Sequence, residues 1–167
     1  MKSQLLPEGF RDSLPDLAEL ENHINSIFLE LMKSNGFFLV KPPLIEFENS
    51  LFFLKKGDSE NIDSFRVMDP LTQKIVGIRS DITLQVARIS CGSLSNNTRP
   101  LRLCYTGEIL KVKNNNINLS RQFTQVGAEI IGVKDGFCLR ELINLIIENL
   151  EMLGIKRYII NFSMPNL

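Results

Sequence analysis

LRLCYTGEILKVKNNNINLSRQFTQVGAEIIG, residues 101–132, is the stretch whose reading decides the fold. Leu101, Leu103 and Tyr105 alternate with Arg102, Cys104 and Thr106, which is the period of a β-strand, and Gly107 follows as a flexible point. Asn114, Asn115, Asn116 and Asn118 mark a polar loop. A second strand, QFTQVGAEII, covers residues 122–131. Side chains two apart point the same way in a strand, so Gln125, Gly127 and Glu129 share one face. A carboxylate and an amide on either side of a small residue suit a pocket for a polar molecule. The same spacing also fits an ordinary two-stranded meander with a solvated face.

Outward from this pair, the apolar positions Leu17, Leu20, Ile24, Ile27, Phe28 and Leu31 recur every three or four residues. They predict a helix over residues 15–34, capped by Ser13 or Asp16 and ended by Asn35 and Gly36. His23 lies beside the stripe and reads as a boundary residue. FFLV (37–40) reads as a short buried strand, broken by Pro42 and Pro43, which mark an edge. Residues 51–54 suggest a helical turn and residues 55–60 an exposed loop. Residues 64–69 and 74–79 predict an antiparallel hairpin. Ser80 or Asp81 caps a helix whose buried face carries Ile82, Val86 and Ile89. After residues 101–132 comes a second amphipathic helix, with Leu139, Leu142, Ile143, Ile146, Ile147 and Leu150 on its apolar side and Gly154 as its stop. Residues 158–162 predict a last strand. Helices and strands do not alternate regularly, so the expected class is α+β, an antiparallel sheet flanked by helices, in one domain over residues 1–167.

Composition bounds the function. Nineteen basic residues balance 19 acidic ones, which argues against a strongly electrostatic nucleic-acid or membrane-surface binder. Cys91, Cys104 and Cys138 form no CxxC pair, and His23 is the single histidine, so no metal site is expected. Scattered thiols favour the reduced cytoplasm. No apolar run is long enough to cross a bilayer, and residues 1–7 do not read as a signal peptide. Neither G-x-G-x-x-G nor a Walker loop is present, and no cofactor is expected.

RSDITLQVAR (79–88), RPLRLCYTG (99–107) and SRQFTQVGAEIIG (120–132) resemble the catalytic core of class II histidinyl-tRNA synthetases. More closely they resemble the synthetase-like regulatory subunit of ATP phosphoribosyltransferase, which acts with a short catalytic subunit in the first step of histidine biosynthesis. LPEGFRD (6–12) fits both, and the resemblance runs from Leu6 to about Phe162. It implies a six- or seven-stranded antiparallel sheet and a homodimer built around Pro42 and Pro43. It also implies candidate histidine-binding residues: Thr83, Gln125 and Glu129, with Asp81 where the synthetases have glutamate. An amino-acid pocket and a set of inherited strand residues both fit these four positions.

The departures bear on chemistry. Adenylate formation uses an arginine that makes bidentate contact with the ATP α-phosphate, and a glutamate two residues later. Those positions are Lys111 and Lys113 here. Lys111 and Arg121 are therefore candidate remnants of a phosphate side, and no catalytic residue is expected. The glycine-rich third motif, which closes the pocket in both families, is not matched. That implies a fragment, a split product or a reduced form, incomplete at its C-terminal side. The resemblance thus points to a non-catalytic regulatory subunit, partnered by the catalytic phosphoribosyltransferase subunit and responding to histidine. A divergent or split histidinyl-tRNA synthetase is the alternative.

Overall fold

A computed structural model describes residues 5–51, 64–113, 120–133 and 136–163. In chain order the elements are α1 (Pro15–Ser34), β1 (Phe38–Leu39), β2 (Ile45–Phe47), α2 (Glu48–Leu51), β3 (Arg66–Met68) and β4 (Ile75–Ile78). They continue with α3 (Thr83–Cys91), β5 (Leu101–Leu110), β6 (Gln122–Ile131) and α4 (Gly136–Met152). The expected loops at residues 55–60 and 114–118 lie outside the described residues, as do residues 52–54.

The α+β class holds, but among the described residues the strands form two three-stranded sheets, ordered β1-β5-β6 and β2-β4-β3, rather than the single six- or seven-stranded sheet the resemblance implied. One pairing is parallel: Phe38 faces Leu103 and Leu39 faces Cys104. The other pairs are antiparallel. The β5–β6 ladder is the longest, running from Leu101↔Ile131 to Leu110↔Gln122. The third strand of the smaller sheet, β2, was hidden in sequence by the acidic residues among its apolar ones.

Both faces of β5 are covered. Leu101, Leu103, Tyr105 and Ile109 pack with Ile82, just before α3, and Val86 of α3. On the other face Cys104 packs with Phe28, Leu31 and Met32 of α1, Phe37, and Leu145 of α4. Burial of each large apolar side chain contributes roughly 1.5–3 kcal/mol. The expected stripe of α1 is correct but buried only toward its C-terminal end, while in α4 the buried position lies beside the expected stripe. In α1 burial concentrates in the last turns, while Leu17 and Leu20 are exposed. In α4 the buried residue is Leu145, and Leu139 and Ile146 face outward.

Other expectations are corrected. The cap of α1 is Leu14, which makes no side-chain cap bond, because Pro15 enters at the first helical position with its φ already set. Gly36 does take the left-handed conformation, with φ 77°. Of residues 37–40 only Phe37 is buried, and Phe38 is 73% exposed, because β1 is a two-residue edge. Gly107 does not interrupt its strand, which runs on to Leu110. Residues 158–162 form no strand, with Ile159 and Phe162 exposed: a strand needs a ladder partner, and no described strand pairs with them.

One buried cation joins the two sheets. Arg79, 6% exposed, follows β4. Its guanidinium donates to the carbonyl of Glu108 at 2.7 Å and of Pro42 at 2.8 Å. Its own N–H donates to Leu44 O, and its carbonyl accepts from Leu110 N. Burial pulls its pKa down and the Glu108 and Glu46 carboxylates push back, so it stays charged. A Cβ on Gly107 would fall 2.3 Å from the Arg79 Nη2, so this strand position takes no side chain.

Replacing Arg79 with alanine leaves the Pro42 and Glu108 carbonyls without their charged donor. Urea denaturation is expected to show a loss of about 3 kcal/mol, and Gly107→Ala should destabilise in the same direction. Wild-type stability in both variants would rule this joint out.

Candidate functional site

The candidate residues Asp81, Thr83, Gln125 and Glu129 meet where the start of α3 crosses the middle of β6. The turn into α3 is built by Asp81, whose Oδ1 accepts from the Thr83 N–H at 2.7 Å. The helix itself begins at Thr83, after Ile82, so neither Ser80 nor Asp81 is its cap residue. Gln125 ties this turn to the sheet. Its Oε1 accepts from the Ile82 N–H at 2.9 Å, and its Nε2 donates to Asp81 Oδ1 at 3.2 Å.

At the other end of the set, Tyr105 is the hub. Its hydroxyl lies 3.0 Å from Thr83 Oγ1 and donates to Glu129 Oε1 at 3.3 Å. Tyr105 is 2% exposed, and burial foremost holds its phenol well above the usual range, with the Glu129 and Asp81 charges adding to that; it remains a hydrogen-bond donor. Burial also raises the Glu129 carboxyl, helped by Asp81 and partly offset by the bonds from Tyr105 and Thr83. The sequence reading placed Tyr105 only among the apolar alternation. Its signal is the register: Tyr105 pairs with Gly127, and a Cβ there would fall 2.3 Å from the tyrosine hydroxyl oxygen.

Lys111 and Arg121 are brought together, but elsewhere. The Lys111 N–H donates to Arg121 O at 2.8 Å, six residues up the ladder from Tyr105 and so roughly 20 Å away. The Lys111 ammonium lies over the Phe123 ring, 5.5 Å from its centroid. The Arg121 guanidinium stacks against both Phe10 and Phe65, at 5.4 and 4.6 Å, and donates to Glu8 O at 3.2 Å. Arg121 therefore pins the N-terminal segment to the mouth of the hairpin.

The Asp81–Glu129 set brings together two carboxylates, an amide oxygen and two hydroxyls between the start of α3 and one face of the β5–β6 ladder. That complements a ligand carrying hydrogen-bond donors, such as an ammonium group. The sequence matches the histidyl-tRNA synthetase family over residues 9–167. The chain belongs to that family.

Within it, the chain is 42% identical over 98% of its length to the ATP phosphoribosyltransferase regulatory subunit of Paramagnetospirillum magneticum. It is 40% identical, again over 98%, to that of Rhodospirillum rubrum. It spans only 43% and 42% of those two relatives. Among solved structures, an ATP phosphoribosyltransferase regulatory subunit/histidyl-tRNA synthetase from Bacillus halodurans superposes with a TM-score of 0.78 at 25% identity, over 92% of this chain and 39% of that one. The apo histidyl-tRNA synthetase of S. aureus shares the fold, with a TM-score of 0.73 over 90% of this chain and 35% of that one, at 22% identity.

Glu129 binds its proton more tightly folded than unfolded, so its contribution to stability is present at acid pH and is lost as pH rises through its elevated pKa. Melting curves between about pH 4 and 8 should show that loss in the wild type and a flatter profile in Glu129→Gln. Gly127→Ala should lower stability by about 1–3 kcal/mol by forcing the Tyr105 ring aside.

Proposed function

We propose that this chain forms the synthetase-like part of a non-catalytic regulatory subunit of ATP phosphoribosyltransferase, acting with the short catalytic subunit. The observation that carries the reading is at Lys111. The family resemblance assigns that position the arginine of adenylate chemistry, and an ammonium stacked on Phe123 cannot reproduce its planar two-point contact with a phosphate. The names of the regulatory-subunit relatives support the same conclusion. The candidate amino-acid pocket is intact by comparison, with Asp81 and Glu129 as acceptors for the ammonium and imidazole of histidine. Feedback follows if histidine binds the active and inhibited assemblies with different affinity.

The same reading includes a homodimer. Beside Pro42 and Pro43, the smaller sheet turns Ile45, Phe47 and Val67 outward on one face, each nearly half exposed. Such a face favours association. The cytoplasm fits the three free cysteines.

Mixing with a short catalytic subunit should switch on phosphoribosyl transfer, and a catalytic subunit that works equally well alone would defeat the proposal. Histidine near 100 times its dissociation constant should add about 2.7 kcal/mol to the stability of the chain, and Asp81→Asn or Glu129→Gln should abolish that gain. Histidine-dependent exchange of pyrophosphate into ATP is expected to be absent; its presence would favour the synthetase alternative.

A further inference from the structure

The two long strands carry a second set of polar groups on their other face. Glu108 pairs with Thr124, one residue out of phase with Gly107↔Gln125, so the two pairs project to opposite sides of the sheet. On the Glu108 side a cavity of 610 Å³ lies between the N-terminal segment, α1 and the far end of the ladder. That volume falls within the range of about 300–1,000 Å³ usual for small-molecule sites.

Its lining has a definite chemistry. The Glu108 carboxylate is oriented by the Thr124 hydroxyl at 2.7 Å and the Gln122 amide at 3.4 Å, and it retains acceptor capacity. Glu21 of α1 accepts from Ser13 at 3.5 Å. Asp12 is the third carboxylate and Arg11 the one cation on the cavity wall. Phe10 supplies apolar surface, whereas the Phe123 side chain packs on the opposite, α3 face of the ladder. The Phe10 ring is held in place by Arg121 and by its edge contact with Phe65. Three negative groups and one positive group are matched by a ligand with two positive groups and one negative. A simple zwitterion answers too few of the carboxylates, and a diamine leaves Arg11 facing another cation.

We propose that this cavity binds a free basic α-amino acid, lysine or arginine. Its α-carboxylate meets Arg11, its two cationic groups meet the carboxylates led by Glu21 and Glu108, and its methylene stem lies against the Phe10 ring. The site is separate from the candidate histidine pocket and does not depend on the regulatory reading.

Titration calorimetry with L-arginine and L-lysine tests this, against agmatine, which lacks the carboxylate, and L-norleucine, which lacks the side-chain charge. Saturable binding of both basic amino acids is expected, with agmatine and norleucine each weaker by about tenfold or more. Glu108→Gln and Arg11→Gln should each weaken L-arginine by a similar factor, while Asp81→Asn on the opposite face leaves it unchanged. Arg11 is exposed, so its variant remains informative even if Glu108→Gln perturbs folding. Absence of saturable binding, or L-arginine binding unaffected by Arg11→Gln, would overturn the proposal.

Discussion

A buried guanidinium ties this structure's two sheets together. Arg79 sits where the smaller sheet ends and the long ladder passes, and it donates to backbone carbonyls from both sides of that junction. Buried carbonyls must find donors, and a planar guanidinium reaches two chain segments at once in a fixed geometry. Gln85 of α3 extends the arrangement, donating to Pro43 O at 2.8 Å. The proline pair, which cannot donate for itself, is thereby fixed by two side chains from different elements. The start of α3 follows directly from this junction, so the position of Asp81 and Thr83 depends on it.

From that anchor the β5–β6 ladder serves as a two-sided platform. Strand alternation sends Tyr105, Gln125 and Glu129 to the α3 side, and Glu108, Gln122 and Thr124 to the α1 side. On the α3 side every candidate side chain already has an internal partner. A ligand there must exchange those bonds for its own, which favours one able both to donate to the carboxylates and to accept from the hydroxyls. Gly127 is the enabling residue, because its missing side chain is the space the Tyr105 hydroxyl end occupies.

On the proposed reading, the two candidate sets separate the family's chemistry into parts. The amino-acid side keeps carboxylates, amide and hydroxyl in one bonded group. The phosphate side has an ammonium over a ring and a guanidinium stacked against two aromatic rings. An Arg121 held that way contributes to architecture, tying the N-terminal segment to the hairpin. The proposed loss of adenylate chemistry is compatible with retention of the fold, since Lys111 is not among the residues that hold the sheets together.

The sequence alone determined the period of each long element, the bounds of α1 and β6, and the shared face of Gln125, Gly127 and Glu129. These follow from local geometry: 3.6 residues per helical turn and two per strand repeat. It also carried the family signature and the substitution at Lys111. Only the tertiary structure decided which side of α4 is buried, that β2 completes a second sheet, that Gly107 stays in its strand, and that residues 158–162 lie unpaired. It alone revealed Arg79 and Tyr105 as the joints of the site. Both join segments far apart in sequence, such as Arg79 with Pro42 and Glu108, or Tyr105 with Thr83 and Glu129. A pattern read along one strand or helix records which face a side chain takes, whereas the partner it meets there is set by how distant segments pack.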